Sequence, residues 1–498
     1  MLVGGAFDLI ELCTMTRRNF IGGAVAFGVL SRTNAQCAFD ETPNLTIGVV
    51  SDLHINGPVG NPLGADERLF VKALEYFRGQ GVDGVVIPGD LANCGLREDL
   101  KFIGETWRRV FPDDKLPNGR KVEKLFVTGN HDACGLYYAQ RKLKDASKDE
   151  IGPQTILADP ARAWREAFDE EYAPIWRKTL KGYDFVGAQW HIGIDRGKDE
   201  TFNDGILDFY ATHGKEFDPH RPFFHIQHPH PKDTCYGPWA WGRDDGRSTK
   251  ALAPFKNAIA ISGHSHYSLT DERSVWQGAF TSVGAGSLRY TGLTSNEFPP
   301  DAFENSSGIG KVGRSHDAEK LSPCIYVDDS QQGMLWKVYD DRIVISRRDF
   351  GTDLSLGPDW VLPLRTDERP FAFKAQAARF KGPKFMPKAS LNVRTATAKT
   401  RGKVEKTVWD VEIPPCVADP AARVYRYEVT ATSGAQTRTK RVLAEGFNHA
   451  PTFKKTAAKT HCRFAVDDFK GSGAVRFSVT PFNFFGKAGA PLTKEVEV

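Results

Sequence analysis

Five short stretches of this chain place imidazoles, carboxylates and an amide where apolar runs stop. They are Asp52-Leu53-His54, Gly89-Asp90, Gly129-Asn130-His131-Asp132, His228-Pro229-His230 and Gly263-His264-Ser265-His266. Taken singly, each is ordinary: Gly, Asn and Asp are turn residues, and a Gly-Asn-His-Asp tetrapeptide is a turn as readily as a site. What points to chemistry is one arrangement, an apolar run ending in a polar cluster, met five times. Carboxylate, imidazole and amide oxygen together suit hard to borderline divalent cations such as zinc, iron or manganese. No cysteine pair lies nearby, which argues against a purely structural zinc site. Two ions about 3.5–4 Å apart, bridged by one carboxylate, hold a hydroxide for in-line attack on phosphorus.

The elements that must position these groups follow from periodicity. Residues 45–51 read as a buried strand, 66–80 as a helix (Leu69, Val71, Leu74, Phe77), and 83–88 as a second strand. A helix over 97–110 and a strand Leu125-Phe126-Val127 follow. Strand, helix, strand, helix, strand predicts a parallel sheet with crossover helices, whose carboxyl edge is where ligands bind. Residues 136–180 are helical in flavour, with Trp164, Phe168, Tyr172 and Trp176 forming a stripe expected to pack on the core. Residues 183–195 resemble a hairpin of a second sheet. The runs 223–227 and 258–262 are strands of that sheet, and strands near 324–338 and 342–348 close the domain.

A chain of 498 residues exceeds one hydrophobic core, so two or three domains are expected. Hydrophobic residues at 40% and charged residues at 26% describe a soluble globular protein, and a formal charge of +4 argues against a general nucleic-acid binder. At the amino terminus Arg17-Arg18 precedes an apolar run from Ile21 to Leu30 and small residues near Ala35. That is the order of a secretory leader over residues 1–37, and the paired arginines mark twin-arginine export to a periplasmic or extracellular location. The run is too short to span a membrane, so the mature protein is expected to carry no span. Eight cysteines fit neither a disulfide scaffold nor a zinc motif, and Cys416 with Cys462 is the pairing to expect if one forms. Residues 351–390, rich in Pro, Lys and Arg, read as a connector. Residues 391–498 alternate like short strands of an antiparallel sandwich, whose 479–486 segment resembles the last hairpin of a fibronectin type III-like domain.

In their order, Asp-x-His, Gly-Asp, Gly-Asn-His-Asp, a strand-end His and Gly-His-x-His resemble the calcineurin-like metallophosphoesterase family over residues 44–350. The resemblance implies a four-layer α/β/β/α sandwich, followed here by the smaller all-β domain. It also implies two divalent metal ions, zinc, iron, manganese or a mixed pair. Carried over, Asp52, His54 and His266 hold the first ion; Asn130, His228 and His264 hold the second; Asp90 bridges both. His131 is the catalytic residue, protonating the leaving alkoxide or steadying the phosphoryl oxygens. His230 is the alternative to His228, and Asp132 orients the loop rather than ligating. His191, His213, His220 and His225 read as surface or packed histidines, and Asn56, Gly57 and Gly60 as a loop beside Asp52. The protein Ser/Thr phosphatases of this family carry Gly-Asp-x-x-Asp-Arg-Gly, where this chain has Gly89-Asp90-Leu91-Ala92-Asn93-Cys94-Gly95. That departure argues against a protein phosphatase and leaves Asn93, uncharged, where an Asp would polarise the histidine.

The implied activity is hydrolysis of a phosphomonoester or phosphodiester, with small-molecule or nucleotide substrates favoured. The competing reading is a non-catalytic, metal-containing cell-surface binding protein, which would have no use for His131. For the C-terminal domain a packing or spacer role competes with carbohydrate or wall binding. Exposure of Phe482, Phe484 and Phe485 would favour binding, and their burial packing.

Overall fold

In the computed structural model, residues 41–57, 65–190, 205–293, 311–314, 323–399, 405–417, 419–420, 422–453, 460–469 and 473–497 are described. The leader with Arg17-Arg18, together with Gly60, His191 and the end of the 183–195 segment, lies outside them. Pro43–Val498 forms one compact unit.

The first three strands, β1 (Leu45–Val49), β2 (Gly84–Pro88) and β3 (Glu123–Val127), run parallel, joined by helices α1 (Ala65–Gln80) and α2 (Arg97–Val110). The second sheet begins with β4 (Ile175–Leu180), β5 (Tyr183–Ala188) and β6 (Phe223–Ile226). It is completed by β7 (Ala258–Ser262), β8 (Val275–Gln277) and β9 (Thr281–Gly284), in the order β4-β5-β6-β7-β9-β8. Three short strands, β10 (Thr291–Leu293), β11 (Lys311–Arg314) and β12 (Pro323–Val327), form a separate ribbon. Strands β13 (Gln332–Val338) and β14 (Arg342–Asp349) return to the first sheet, where β13 pairs antiparallel with β1.

Every residue of β1 and β2 is buried, which fits strands covered on both faces. Successive side chains point to opposite sides, and the packing obeys that alternation. Val85, Ile87 and Phe126 face a helical layer built on Phe70, Leu74, Phe77, Ile103, Trp107, Trp164 and Phe168. Val86, Leu125 and Val127, with Trp336 of β13, face the other sheet through Phe185, Phe224, Ile226 and Ile261. The outer face of that second sheet, including Val186, Phe223 and Ala260, is covered by helices Ile206–His213 and Arg247–Leu252 through Ile206, Tyr210 and Leu252. Helix, sheet, sheet, helix: the four-layer α/β/β/α sandwich is what the residues build. Each large side chain in it stabilises the fold by roughly 1.5–3 kcal/mol.

Several local expectations differ from the fold. The aromatic stripe is not one helix: the helix Pro160–Phe168 ends where Asp169 turns left-handed at φ 57°, and Trp176 lies in β4. Its side chains still pack on the core, and Trp176 Nε1 donates to Phe126 O at 3.1 Å. The hairpin partner of β5 precedes it as β4 rather than following it. The single run 324–338 is two strands in two sheets. Residues 351–390, expected as a connector, contribute β15 (Leu354–Ser355) and β16 (Trp360–Pro363) to the first sheet. Trp360 and Leu362 are buried there, and Arg347 of β14 stacks on Trp360 at 4.1 Å.

Beyond residue 390, a three-stranded sheet (Asn392–Lys399, Glu405–Ile413, Thr460–Ala465) faces a four-stranded one (Gln436–Leu443, Val424–Ser433, Ala474–Asn483, Leu492–Glu497). Val411, Val429, Phe464 and Phe477 form the core of this smaller sandwich. Phe484 is buried against Tyr425 at 5.0 Å, Phe485 stacks on Phe380 at 5.6 Å, and Phe482 lies under Arg426 at 4.1 Å. Of the three only Phe484 is buried; Phe482 and Phe485 are half-buried, so they are neither all exposed nor all buried. Cys416 and Cys462 both contribute to this core, with no disulfide between them.

Candidate metal centre

The register of the parallel strands fixes the site. Val49 pairs with Val86, and Val86 with Leu125, so the loops opening at Asp52, Gly89-Asp90 and Gly129-Asn130 leave the first sheet at one level. In the second sheet Ile226 pairs with Ile261, which aligns His228 with the Gly263-His264 turn. The two sets of loops meet across the top of the sandwich. To turn their side chains inward, Asp52, His54, Asp90, His264 and His266 all adopt left-handed backbone, with φ of 52°, 45°, 51°, 69° and 55°. Non-glycine residues rarely do so, and such strain persists only where surrounding structure imposes it.

Two clusters result, Asp52/His54/Asp90/His266 and Asp90/His228/His264, with Asp90 common to both. In the first, His266 Nε2 lies 3.0 Å from Asp52 Oδ1 and 3.1 Å from His54 Nε2, which is 3.6 Å from Asp90 Oδ2. In the second, His228 Nε2 lies 3.2 Å from Asp90 Oδ2, 3.1 Å from Asn130 Oδ1 and 3.1 Å from His264 Nδ1. All seven residues expected as ligands converge here. His230 does not: its Nδ1 bonds Ser262 Oγ and its Nε2 bonds Ser265 Oγ, both at 2.6 Å.

The donor set fits a pair of cations. The second ring nitrogens are already engaged, His228 Nδ1 on Pro88 O at 2.8 Å and His266 Nδ1 on Tyr290 O at 3.1 Å. Such a bond on one nitrogen presents the other as a lone pair. The inward atoms are then acceptors facing acceptors, an arrangement that a cation satisfies and a protein donor does not. Burial, with His131 next, pushes His54 well below the usual imidazole range, and burial with His228 does the same to His264. Neutral imidazole is the form that binds a metal. His228 goes the other way: burial opposes its charge, but Asp90, hydrogen-bonded to it, and Asp52 raise it to about 9. Asp90 is held well below the carboxylate range against its burial, chiefly by His228 and His131.

His131 lies beside both clusters. Its main-chain N–H donates to Asp90 Oδ1 at 2.8 Å, its ring meets His54 edge-on at 4.4 Å, and its other face stacks on Tyr138 at 4.0 Å. Its Nδ1 bonds the main-chain carbonyl of Asn93 at 2.8 Å, while the Asn93 side chain turns to Asn56 at 3.1 Å. The backbone, not the amide, thus orients this ring. Burial lowers its pKa, with Asp90 and the Asn93 carbonyl opposing. Asp132 is fully buried and accepts from the N–H groups of Leu91 (3.1 Å), Ala92 (2.7 Å) and Gly129 (2.8 Å), tying two site loops together. Burial, with Asp90 next, raises it to about 7.

The histidines read as bland stay so. His225 is buried between Tyr210 and Gln227 and pushed down to about 4 by burial, His213 is half-buried and His220 is exposed. Gly57 N donates to Asp99 at 2.6 Å in the loop beside Asp52. What the sequence did not disclose is an aromatic surround: Tyr290 on His266 at 4.3 Å, Trp241 on His264 at 4.7 Å, and Trp190 within 5.8 Å of His228. No spacing marks these rings, because each arrives from a different loop.

Two facing sheets whose carboxyl ends deliver a shared-carboxylate Asp/His/Asn cradle define a protein built to hold two metal ions. Residues 45–268 match the family model of calcineurin-like phosphoesterases, and all seven candidate ligands fall inside that span. The chain therefore carries a calcineurin-like phosphoesterase domain and is a metal-dependent phosphoester hydrolase. A comparison with the curated proteins found no match. Among solved structures it is similar to a dimetal phosphatase from Danio rerio, at 12% identity over 65% of this chain and 99% of that chain, with a TM-score of 0.37. It is also similar to a conserved uncharacterized protein, a predicted phosphoesterase, from Streptococcus pneumoniae, at 13% identity over 64% of this chain and 97% of that one, with a TM-score of 0.26.

Proposed function

We propose that this chain is an exported two-metal phosphoesterase that hydrolyses a phosphomonoester or phosphodiester of a small molecule or nucleotide. The observation that carries the reading is the pair of buried clusters sharing Asp90. Asp52, His54 and His266 would hold one ion and Asn130, His228 and His264 the other, with Asp90 between them. Bound there, divalent ions supply neutralising charge for a phosphoryl group and activate water for in-line attack.

The chain's own residues do the rest. Asp90 is fixed by the His131 amide, and His228 by the Pro88 carbonyl, so the cradle is set before substrate arrives. His131, anchored through Nδ1, offers Nε2 to the leaving alkoxide or to a phosphoryl oxygen, a role imidazole fills near neutral pH. Export of the folded chain on the Arg17-Arg18 leader is part of the same proposal. Among the described residues no helix is long and apolar enough to cross a membrane.

A screen of aryl phosphate mono- and diesters, with and without chelator, tests the reading. Turnover that chelation abolishes and added divalent metal restores supports it. No hydrolysis with any metal would favour the binding-protein alternative.

A further inference from the structure

We propose that the C-terminal domain is a working part of the metal centre: its loop 446–453 holds His266 in place, and Asn448 is the positioning residue. This rests on the two-metal reading above.

Between the strands Gln436–Leu443 and Thr460–Ala465, the C-terminal domain sends this loop into the catalytic domain. Ala450 and Phe453 join the apolar core between the two large sheets. Arg423 stiffens the loop from its own side, binding His449 O at 2.6 Å and Gly446 O at 2.8 Å. On the catalytic side, Asn448 O accepts from Gln332 Nε2 (2.9 Å), Ser330 Oγ (3.1 Å) and Ser268 Oγ (3.3 Å). Phe447 O accepts from Thr270 Oγ1 at 2.6 Å. Ser268 and Thr270 lie two and four residues after His266. Two main-chain carbonyls of one domain thus hold the loop that carries a candidate ligand in the other.

The Asn448 side chain completes the connection. Its Nδ2 donates to Thr291 Oγ1 at 3.1 Å, with both residues essentially without solvent access. Thr291 follows Tyr290, whose carbonyl takes the proton of His266 Nδ1 at 3.1 Å, and Gly292 N donates to His266 O at 2.7 Å. Segment 290–292 therefore grips His266 by ring and by backbone, and Asn448 grips that segment. The group that fixes the second nitrogen of a ligating imidazole sets its tautomer and aim, at a cost of about 10–100-fold in metal affinity when lost. Asn448 stands one residue behind that group, so the lower end of the range applies.

The test uses full-length wild type, Asn448→Ala, Thr291→Val, Thr291→Ser and the double variant Asn448→Ala/Thr291→Val, all loaded with manganese. Ions retained per chain are counted after dialysis against a fixed chelator concentration, and the melting of the metal-free proteins is recorded alongside. Asn448→Ala and Thr291→Val should each weaken retention of one of the two ions about 10-fold. The double variant should add little, because the two act through one bond, and Thr291→Ser, which keeps the hydroxyl, should retain both ions. If Asn448→Ala and Thr291→Val hold both ions as tightly as wild type and only melt earlier, the bond is structural and the proposal fails. A wild-type protein that retains no ion pair overturns the two-metal reading itself, a separately recognisable result.

Discussion

Gly129→Ala is the smallest change that should separate the fold from the site. The Gly129 backbone lies outside the left-handed region, so alanine can adopt it without strain. The obstacle is space: a Cβ there would stand 2.2 Å from Asp90 Oδ1, 2.4 Å from the main-chain N of Asp90 and 2.8 Å from His228 Nε2. Ordinary contact begins at 3.4 Å, so the carboxylate and the main chain of Asp90 must each retreat by about 1 Å and the imidazole by about half that. Metal–ligand distances tolerate shifts of only about 0.2 Å. Overpacking costs about 1–3 kcal/mol, of which removing a glycine from the unfolded chain recovers about 0.4–1. The variant should fold with a modestly lowered melting temperature, yet lose bound metal and turnover. Gly79→Ala, where a Cβ meets nothing within 4 Å, is the control and should change neither. Metal content by elemental analysis, read beside aryl phosphate hydrolysis, decides it. A Gly129→Ala protein with two ions and wild-type turnover would refute the placement of Asp90 and His228 around this glycine.

His131→Ala should keep its metal, because no ring atom of His131 belongs to either cluster, while kcat falls about 100-fold or more; unchanged turnover would remove His131 from the chemistry. Elsewhere, Glu272 is buried with Arg347 Nη1 at 2.9 Å and Trp360 Nε1 at 2.6 Å, and burial, with Arg347 opposing, raises it from 4.5 to about 7. A carboxyl raised in the folded state contributes stability that is full below the unfolded value and lost as pH climbs through the folded one. Between pH 4.5 and 7 the wild type should thus lose on the order of 3 kcal/mol relative to Glu272→Gln, read from urea midpoints. A difference that is flat with pH would show that Glu272 stays ionised beside Arg347.

The positions of the ligands were legible because strand ends are. An apolar run that stops at Gly or Ser and releases Asp or His reads the same in sequence as in space, and parallel register then brings distant runs level. The choice between His228 and His230 was open in the sequence, since both follow the strand. It is decided by Ser262 and Ser265, which saturate His230 from a neighbouring strand. Trp360 and β16 were hidden by the Pro-, Lys- and Arg-rich composition of the segment around them, although Arg347 of β14 stacks on Trp360. The 446–453 loop could not be read at all: two of its anchoring groups are main-chain carbonyls, which every sequence has, and no spacing marks the Asn448 side chain. Likewise Asn93 acts on His131 through its backbone, so the missing Asp of the protein phosphatases leaves the ring still oriented.

The central claim is that Asp90 joins two ions, and metal stoichiometry of wild type against Asp90→Asn tests it most directly. Asparagine keeps the size of the side chain but gives up the charge and one of the two carboxylate oxygens. The account predicts two divalent ions per chain in the wild type and the loss of both from the variant. An Asp90→Asn protein that still binds two ions per chain would contradict it.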